Sequence, residues 1–190
     1  MQSSNKILLV QVLGWLTVMP WLSSPDAFSQ ARKASVKELT QASTAILVGK
    51  CDKVESFWDE SRTRIFTQVK SRADESLKGN PGSEVVITVP GGRVGNTLYE
   101  VSDMPVFVKG EEVLVFLWRH PTGKNLVTGA LQGKLTVVED KKTGKKVLRG
   151  VSLRLEDDKT LRKTSATQPP AYEKIFLEDF VKAVKGYARE

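Results

Sequence analysis

Three short stretches of this 190-residue chain hold groups able to do chemistry. The first is Pro90-Gly91-Gly92-Arg93-Val94-Gly95-Asn96. Glycine lets main-chain amides approach a ligand closely, so Gly91 and Gly92 would supply backbone donors, with Arg93 and Asn96 as side-chain contacts. The stretch matches neither G-x-G-x-x-G nor a P-loop, and no suitable helix pattern follows it. The competing reading is a strand connection whose backbone geometry demands glycine. The second stretch is Arg119-His120, at the end of the most apolar run. His120 is the only histidine, and a histidine there would act as a base or a ligand. A zinc site needs several ligands in concert, and no G-x-S-x-G elbow supports a serine triad. A solvated residue in the His120-Pro121-Thr122-Gly123 turn is the simpler expectation. The third is a basic hairpin of Lys141, Lys142, Lys145, Lys146 and Arg149, suited to a polyanion or an anionic head group. Glu139, Asp140 and Asp157-Asp158 dilute its charge, and no aromatic side chain is interleaved for base stacking. Lysines guarding a sheet edge explain it more simply. Trp58, Tyr99 and Trp118 are candidates for a binding face, although aromatics on such strands usually belong to the core. The sequence carries no cofactor or metal signature.

The elements that must position these groups are mostly strands. Ser35-Val36-Lys37-Glu38 is a capping box that starts a short helix from Val36 to about Ala42, with Val36, Leu39 and Ala42 inward. Ala45 to Val54 is a strand that begins apolar on both faces, which marks it as central, and Gly49 signals a bulge. Asp59-Glu60-Ser61-Arg62 is a polar turn. Ile65 to Val69 forms a hairpin with the first strand, and Glu75 to Gly82 reads as a turn by composition. Val85 to Val89 and Val113 to Trp118 are rich in β-branched and aromatic residues and read as buried strands on either side of the glycine loop. Leu98 to Val101 makes a short strand between them. Leu126-Val127 and Leu131 to Val138 are further strands, and Val147 to Leu155 returns from the basic tip. Residues 156–171 read as a linker. An amphipathic helix from Tyr172 to Tyr187 then carries Phe176, Phe180, Val181, Val184 and Tyr187 on one face, ready to pack on the sheet. Many short strands with regular turns and one helix at each end describe a small antiparallel all-β barrel, closed or partly open, with a flat sandwich as the alternative.

Ahead of these elements, a polar lead with Lys6 precedes the apolar run Ile7 to Leu22. Ala27 and Ser29 are small residues that suit cleavage before Gln30, with a second choice before Arg32. Residues 1–29 therefore read as a secretory signal peptide, and the apolar run is shorter than the ~20 residues of a spanning helix. The remaining chain divides into a barrel domain over 30–155, the linker over 156–171 and the helix over 172–190. Removing Lys6 and Asp26 leaves the net charge at +7. The lone Cys51 has no partner within the chain, so stability must come from packing. Its apolar surroundings make it a buried, inert thiol.

The order of an "Ala-Ile-Leu-Val-Gly-Lys" strand, a "Ser-Leu-Lys-Gly" turn, a "Pro-Gly-Gly" loop and a "Lys-Gly-Glu-Glu-Val-Leu-Val-Phe-Leu" strand resembles a family of uncharacterised exported bacterial proteins, over roughly Val36 to Gly133. More distantly it is similar to the netrin-like domain of tissue inhibitors of metalloproteinases. That resemblance implies an OB-type barrel and a binding or inhibitory role. Those inhibitors chelate zinc through a mature N-terminal cysteine and carry several disulfides. Here Gln30 or Arg32 stands at that place and Cys51 is unpaired, so no functional residue carries over. The expectation is a non-enzymatic exported protein, periplasmic or secreted, whose partner is another exported protein, such as a protease. The alternatives are a hydrolase using His120 and an envelope protein holding an anionic polymer through Lys141–Arg149. No nucleic-acid partner is expected, and the membrane is met only through the uncleaved signal peptide.

Overall fold

A computed structural model describes residues 33–150 and 175–190 of the chain. Helix α1 (Val36–Ala42) opens on the capping box. Ser35 Oγ accepts from the Glu38 amide at 3.1 Å, and Glu38 Oε2 accepts from the Ser35 amide at 2.7 Å. Val36 and Leu39 face inward as expected. Ala42 is exposed, and Thr40 is buried with its hydroxyl donating to the Val36 carbonyl.

The strands follow in order: β1 (Ala45–Trp58), β2 (Ile65–Lys78), β3 (Glu84–Pro90), β4 (Gly92–Val94), β5 (Thr97–Tyr99), β6 (Glu112–Arg119) and β7 (Asn125–Val127). A 3-10 turn, Ala130–Gly133, leads into β8 (Lys134–Glu139), β9 (Lys146–Arg149) and β10 (Ile175–Phe176), and helix α2 (Leu177–Tyr187) follows. Strands pair in the order β1-β2-β3-β7-β6, and β6 pairs back to β1, which closes a five-stranded barrel. One pairing in the ring is parallel, Ile87 of β3 beside Asn125 of β7; the other ring pairings are antiparallel. β8, β9 and β10 extend the sheet outward from β6.

The continuous apolar runs now have a reason. Along β6, Val113, Val115 and Leu117 point into the barrel with Leu47, Val69 and Ile87. The alternate residues Leu114 and Phe116 point outward into a second core with Ile46, Phe180 and Val184. A strand covered on both faces reads as an unbroken hydrophobic run. Phe116 meets Phe180 of α2 edge to face, with centroids 6.3 Å apart, so the C-terminal helix packs on the barrel.

Gly49 marks a register shift in the β1–β2 ladder. A Cβ there would stand 2.2 Å from the Arg72 carbonyl oxygen, so only glycine fits this crossing. Other boundaries differ from the sequence reading. The β1–β2 hairpin runs well past Val54 and Val69. Glu75 to Lys78 belong to β2 and not to a turn, because Leu77 is drawn into the outer core. Leu131 lies in the 3-10 turn and is exposed. Ile175 and Phe176 are strand residues paired with Leu148 and Val147, so the helix begins only at Leu177. The leader, the linker over 156–171, Val151 to Leu155 and the start of the C-terminal helix at Tyr172 lie outside the described residues.

Candidate functional site

β4 and β5 form a small hairpin apart from the barrel sheet, with Gly92 opposite Tyr99 and Arg93 opposite Leu98. Between this hairpin and the segment 100–107 lies a cleft of about 510 Å³, backed by Val54, Ser56, Thr67 and Val89. Its floor is a closed hydroxyl chain. Thr67 Oγ1 donates to the Gly91 carbonyl at 2.7 Å, and Ser56 Oγ lies 2.9 Å from Thr67 Oγ1. Thr67 has one proton and it goes to Gly91, so Ser56 donates to Thr67. Ser56 Oγ in turn accepts from the Arg93 amide at 3.3 Å. The Gly91 amide donates to the Ile65 carbonyl at 2.8 Å. Two amides that the glycine loop would offer a ligand are thus engaged within the chain, and neither hydroxyl proton is free to activate an attack.

The glycines have a geometric duty here. Gly92 sits at φ 141°, and a Cβ on it would lie 2.4 Å from both Ser56 Oγ and Thr67 Oγ1. Gly91, at φ 100°, passes so close to Tyr99 that a Cβ would meet its carbonyl oxygen at 3.1 Å. Glycine at these two positions is what lets the hairpin fold down against β1 and β2.

The opposite wall, Val101 to Phe107, has no regular structure and is held by a cluster behind it. Lys134 Nζ donates to Glu111 Oε2 at 2.8 Å, to the Val106 carbonyl at 3.0 Å and to Thr136 Oγ1 at 3.2 Å. The ammonium also lies 5.3 Å from the centroid of the Phe107 ring. Both charged side chains are largely withdrawn from water, at 11% and 14% exposure. Glu111 Oε1 accepts from the Val108 amide at 2.7 Å, so one ion pair fixes both ends of the Val106–Val108 stretch. Two non-glycine residues with left-handed backbone, Asp103 (φ 60°) and Ala130 (φ 52°), are joined beside this wall by the bond from the Leu131 amide to the Asp103 carbonyl. Strained backbone of this kind persists only where the surroundings hold it in place.

What the cleft presents outward is mainly apolar, with Arg93, Glu100 and Ser102 as polar edge residues. Met104, Val101, Tyr99 and Pro90 line it, and its rim leaves Leu98 49% and Val106 76% exposed. Residues of that size so open to water are notable when they border one concavity.

The sequence-predicted residues are dispersed. Gly91, Gly92 and Arg93 border the cleft; Asn96 sits at the exposed turn between β4 and β5 and does not line it. Tyr99 lines the cleft, whereas Trp58 stands at the tip of the β1–β2 hairpin. Trp118 packs edge to face on His120, with centroids 5.4 Å apart. His120 Nδ1 accepts from the Thr122 amide at 3.2 Å and contacts the Thr122 hydroxyl at 2.7 Å, so its partners belong to its own turn. Among the described residues no group of three or more His, Cys, Asp or Glu side chains is gathered for a metal. In the basic hairpin, Lys145 is paired with Glu178 and Lys146 with Glu112, each at 2.8 Å. The bond to Glu178 holds the Lys145 ammonium above the usual lysine range. Lys141 and Lys142 are exposed at the tip. Sequence reasoning missed Ser56, Thr67, Leu98, Val106 and Lys134. The one available signal was Pro105-Val106-Phe107-Val108, an apolar stretch without polar residues between, of which the fold buries Pro105 and Phe107 and exposes Val106 and Val108.

No family model matches the chain, and no curated protein matches it.

Proposed function

We propose that this protein is an exported, non-enzymatic binding module of the OB type, and that the cleft between β4–β5 and Val101–Phe107 holds an apolar segment of another exported protein. The observation that carries the reading is the exposed apolar rim, Leu98 and Val106, over a floor whose polar groups are already satisfied. Such a floor offers no unspent donor for catalysis, and a rim of this kind gains by being covered. The ring order, with a parallel pair between the third and last barrel strands, supports the OB comparison, and the apolar Ile7–Leu22 run supports export. Arg93, exposed on the hairpin, supplies a charge at the rim.

The test is capture of exported proteins on immobilised chain. Leu98→Asp with Val106→Asp should abolish capture of a protein that the unmodified chain retains. Lys141→Ala with Lys142→Ala should leave it intact. A captured protein that ignores the rim substitutions and is lost with the lysines would replace this reading with the anionic-surface one.

A further inference from the structure

The β4–β5 hairpin is a sheet of its own, so among the described residues β5 has β4 on one side and no strand on the other. Its neighbours fix which main-chain groups face that outer side. The Arg93 amide turns out of the hairpin to donate to Ser56 Oγ at 3.3 Å. Arg93 and Leu98 are directly paired. In an antiparallel ladder a pair either exchanges its bonds or turns them outward on both strands. The amide and carbonyl of Leu98 therefore point away from β4. The chain stays extended beyond β5. A Cβ on Gly91 would lie 3.1 Å from the Tyr99 carbonyl oxygen and 3.7 Å from the Val101 amide nitrogen, so both of these groups face Gly91. Glu100, between them, turns its own amide and carbonyl to the outer side, alongside those of Leu98.

Leu98 and Glu100 thus offer two donors and two acceptors on one edge, at the two-residue spacing by which antiparallel strands bond. Among the described residues none of these groups is bonded within the chain. Both residues are exposed, Leu98 at 49%, and both line the cleft. The barrel has no such edge, because its ring closes. Sheet edges are usually blunted by lysine or proline, and Thr97-Leu98-Tyr99-Glu100 holds neither. Leu98 and Glu100 also share one face of the strand, and the Glu100 carboxylate pairs with no cation among the described residues.

We propose that the partner's segment binds as an extended strand, added antiparallel to β5 along Leu98 and Glu100. The inference rests on the protein-binding reading and specifies the form and charge of what is bound. A helix spends its amides and carbonyls within itself and has none for this edge, whereas an extended segment brings them in register. The residue opposite Leu98 exchanges both bonds with it, and so does the residue two positions earlier, opposite Glu100. Directly opposed side chains select the sequence. An apolar residue covers Leu98, and a lysine or arginine meets the unpaired carboxylate of Glu100.

The experiment is an NMR titration of the full, isotope-labelled chain with the end-blocked peptide Thr-Lys-Thr-Val-Thr-Val-Thr. The amide resonances of Leu98 and Glu100 should shift along a saturating curve, and hydrogen exchange at both amides should slow at least tenfold at saturation. N-methylation of the peptide's lysine and valines removes the donors that face β5 and should abolish binding. N-methylation of its threonines, whose amides face away, should leave binding in place. A glutamate in place of the lysine should weaken the peptide several-fold, and Glu100→Lys should reverse that preference. The proposal is overturned if the peptide methylated at lysine and valines binds as well as its parent, since the cleft then takes side chains without a ladder. It is equally overturned if the parent peptide fails to bind at millimolar concentration, or binds without moving Leu98 and Glu100. The protein-binding reading is decided separately: capture of an exported protein that the Leu98→Asp, Val106→Asp variant loses upholds it even where strand addition fails.

Discussion

Gly92 shows how one missing methyl shapes the molecule. A Cβ there would stand 2.4 Å from two hydroxyl oxygens, on a backbone at φ 141°. Gly92→Ala should therefore cost about 2–4 kcal/mol in urea unfolding, through overpacking and backbone strain together. The reverse case is Ala130, a non-glycine residue at φ 52°. Ala130→Gly relieves that conformation and should raise stability by up to about 1 kcal/mol. Cys51 adds a pH dependence. It is fully buried, and burial, reinforced by the Glu111 carboxylate, pushes its thiol up to about 12 from an ordinary value of 9.0. Below pH 9 both the folded and the unfolded chain keep the proton, and the site's contribution to stability is complete. As pH rises from 9 towards 12 the unfolded chain loses its proton while the folded chain keeps it, and that contribution drains away by at most about 1.4 kcal/mol per pH unit. Unfolding curves at pH 8 and pH 11 should show the unmodified chain losing more stability than Cys51→Ala does. Equal losses in the two proteins would contradict this assignment.

Among the elements, the Val101–Phe107 wall and helix α2 are held by opposite means. The wall depends on the withdrawn Lys134–Glu111 pair. Breaking such a pair leaves a charge uncompensated, and Lys134→Ala should cost about 3 kcal/mol. It should also speed hydrogen exchange at Val108, whose amide bonds to Glu111. Helix α2 depends on its apolar face. Phe180 and Val184 are fully buried, and Phe180→Ala should cost about 3–5 kcal/mol. The ion pair from Lys185 to Glu75 at 2.6 Å is solvent-exposed, so Lys185→Ala should change stability by less than about 1 kcal/mol. Thermal melts of these two variants side by side decide which interaction seats the helix. The helix was legible in its sequence because Phe180, Val181 and Val184 recur at helical spacing. The strand before it was not, since a two-residue strand has no period and is created by its partners in β9. The capping box at Ser35 and the bulge at Gly49 were legible for the same reason as each other: their signals are local.

At the scale of the whole chain, the barrel was readable because β6 and the start of β1 are buried on both faces and so appear as unbroken apolar runs. The cleft was only partly readable. The glycine loop announced one wall, but Ser56 and Thr67 meet across the β1–β2 ladder and Lys134 reaches Val106 from a distant strand. No spacing along the chain records either meeting. The exposure of Leu98 and Val106 is likewise a property of the assembled surface. The basic hairpin, prominent in sequence, is moderated in the fold by Glu178 and Glu112. Capture by the protein should accordingly depend on the apolar rim more than on salt, since surface ion pairs weaken with ionic strength and apolar burial does not. The most direct test is capture from an exported-protein fraction at high salt, with the unmodified chain beside the Leu98→Asp, Val106→Asp double variant. The account predicts a partner retained by the first and lost by the second while both remain folded. Equal retention by the two chains, or retention that vanishes with salt alone, would contradict it.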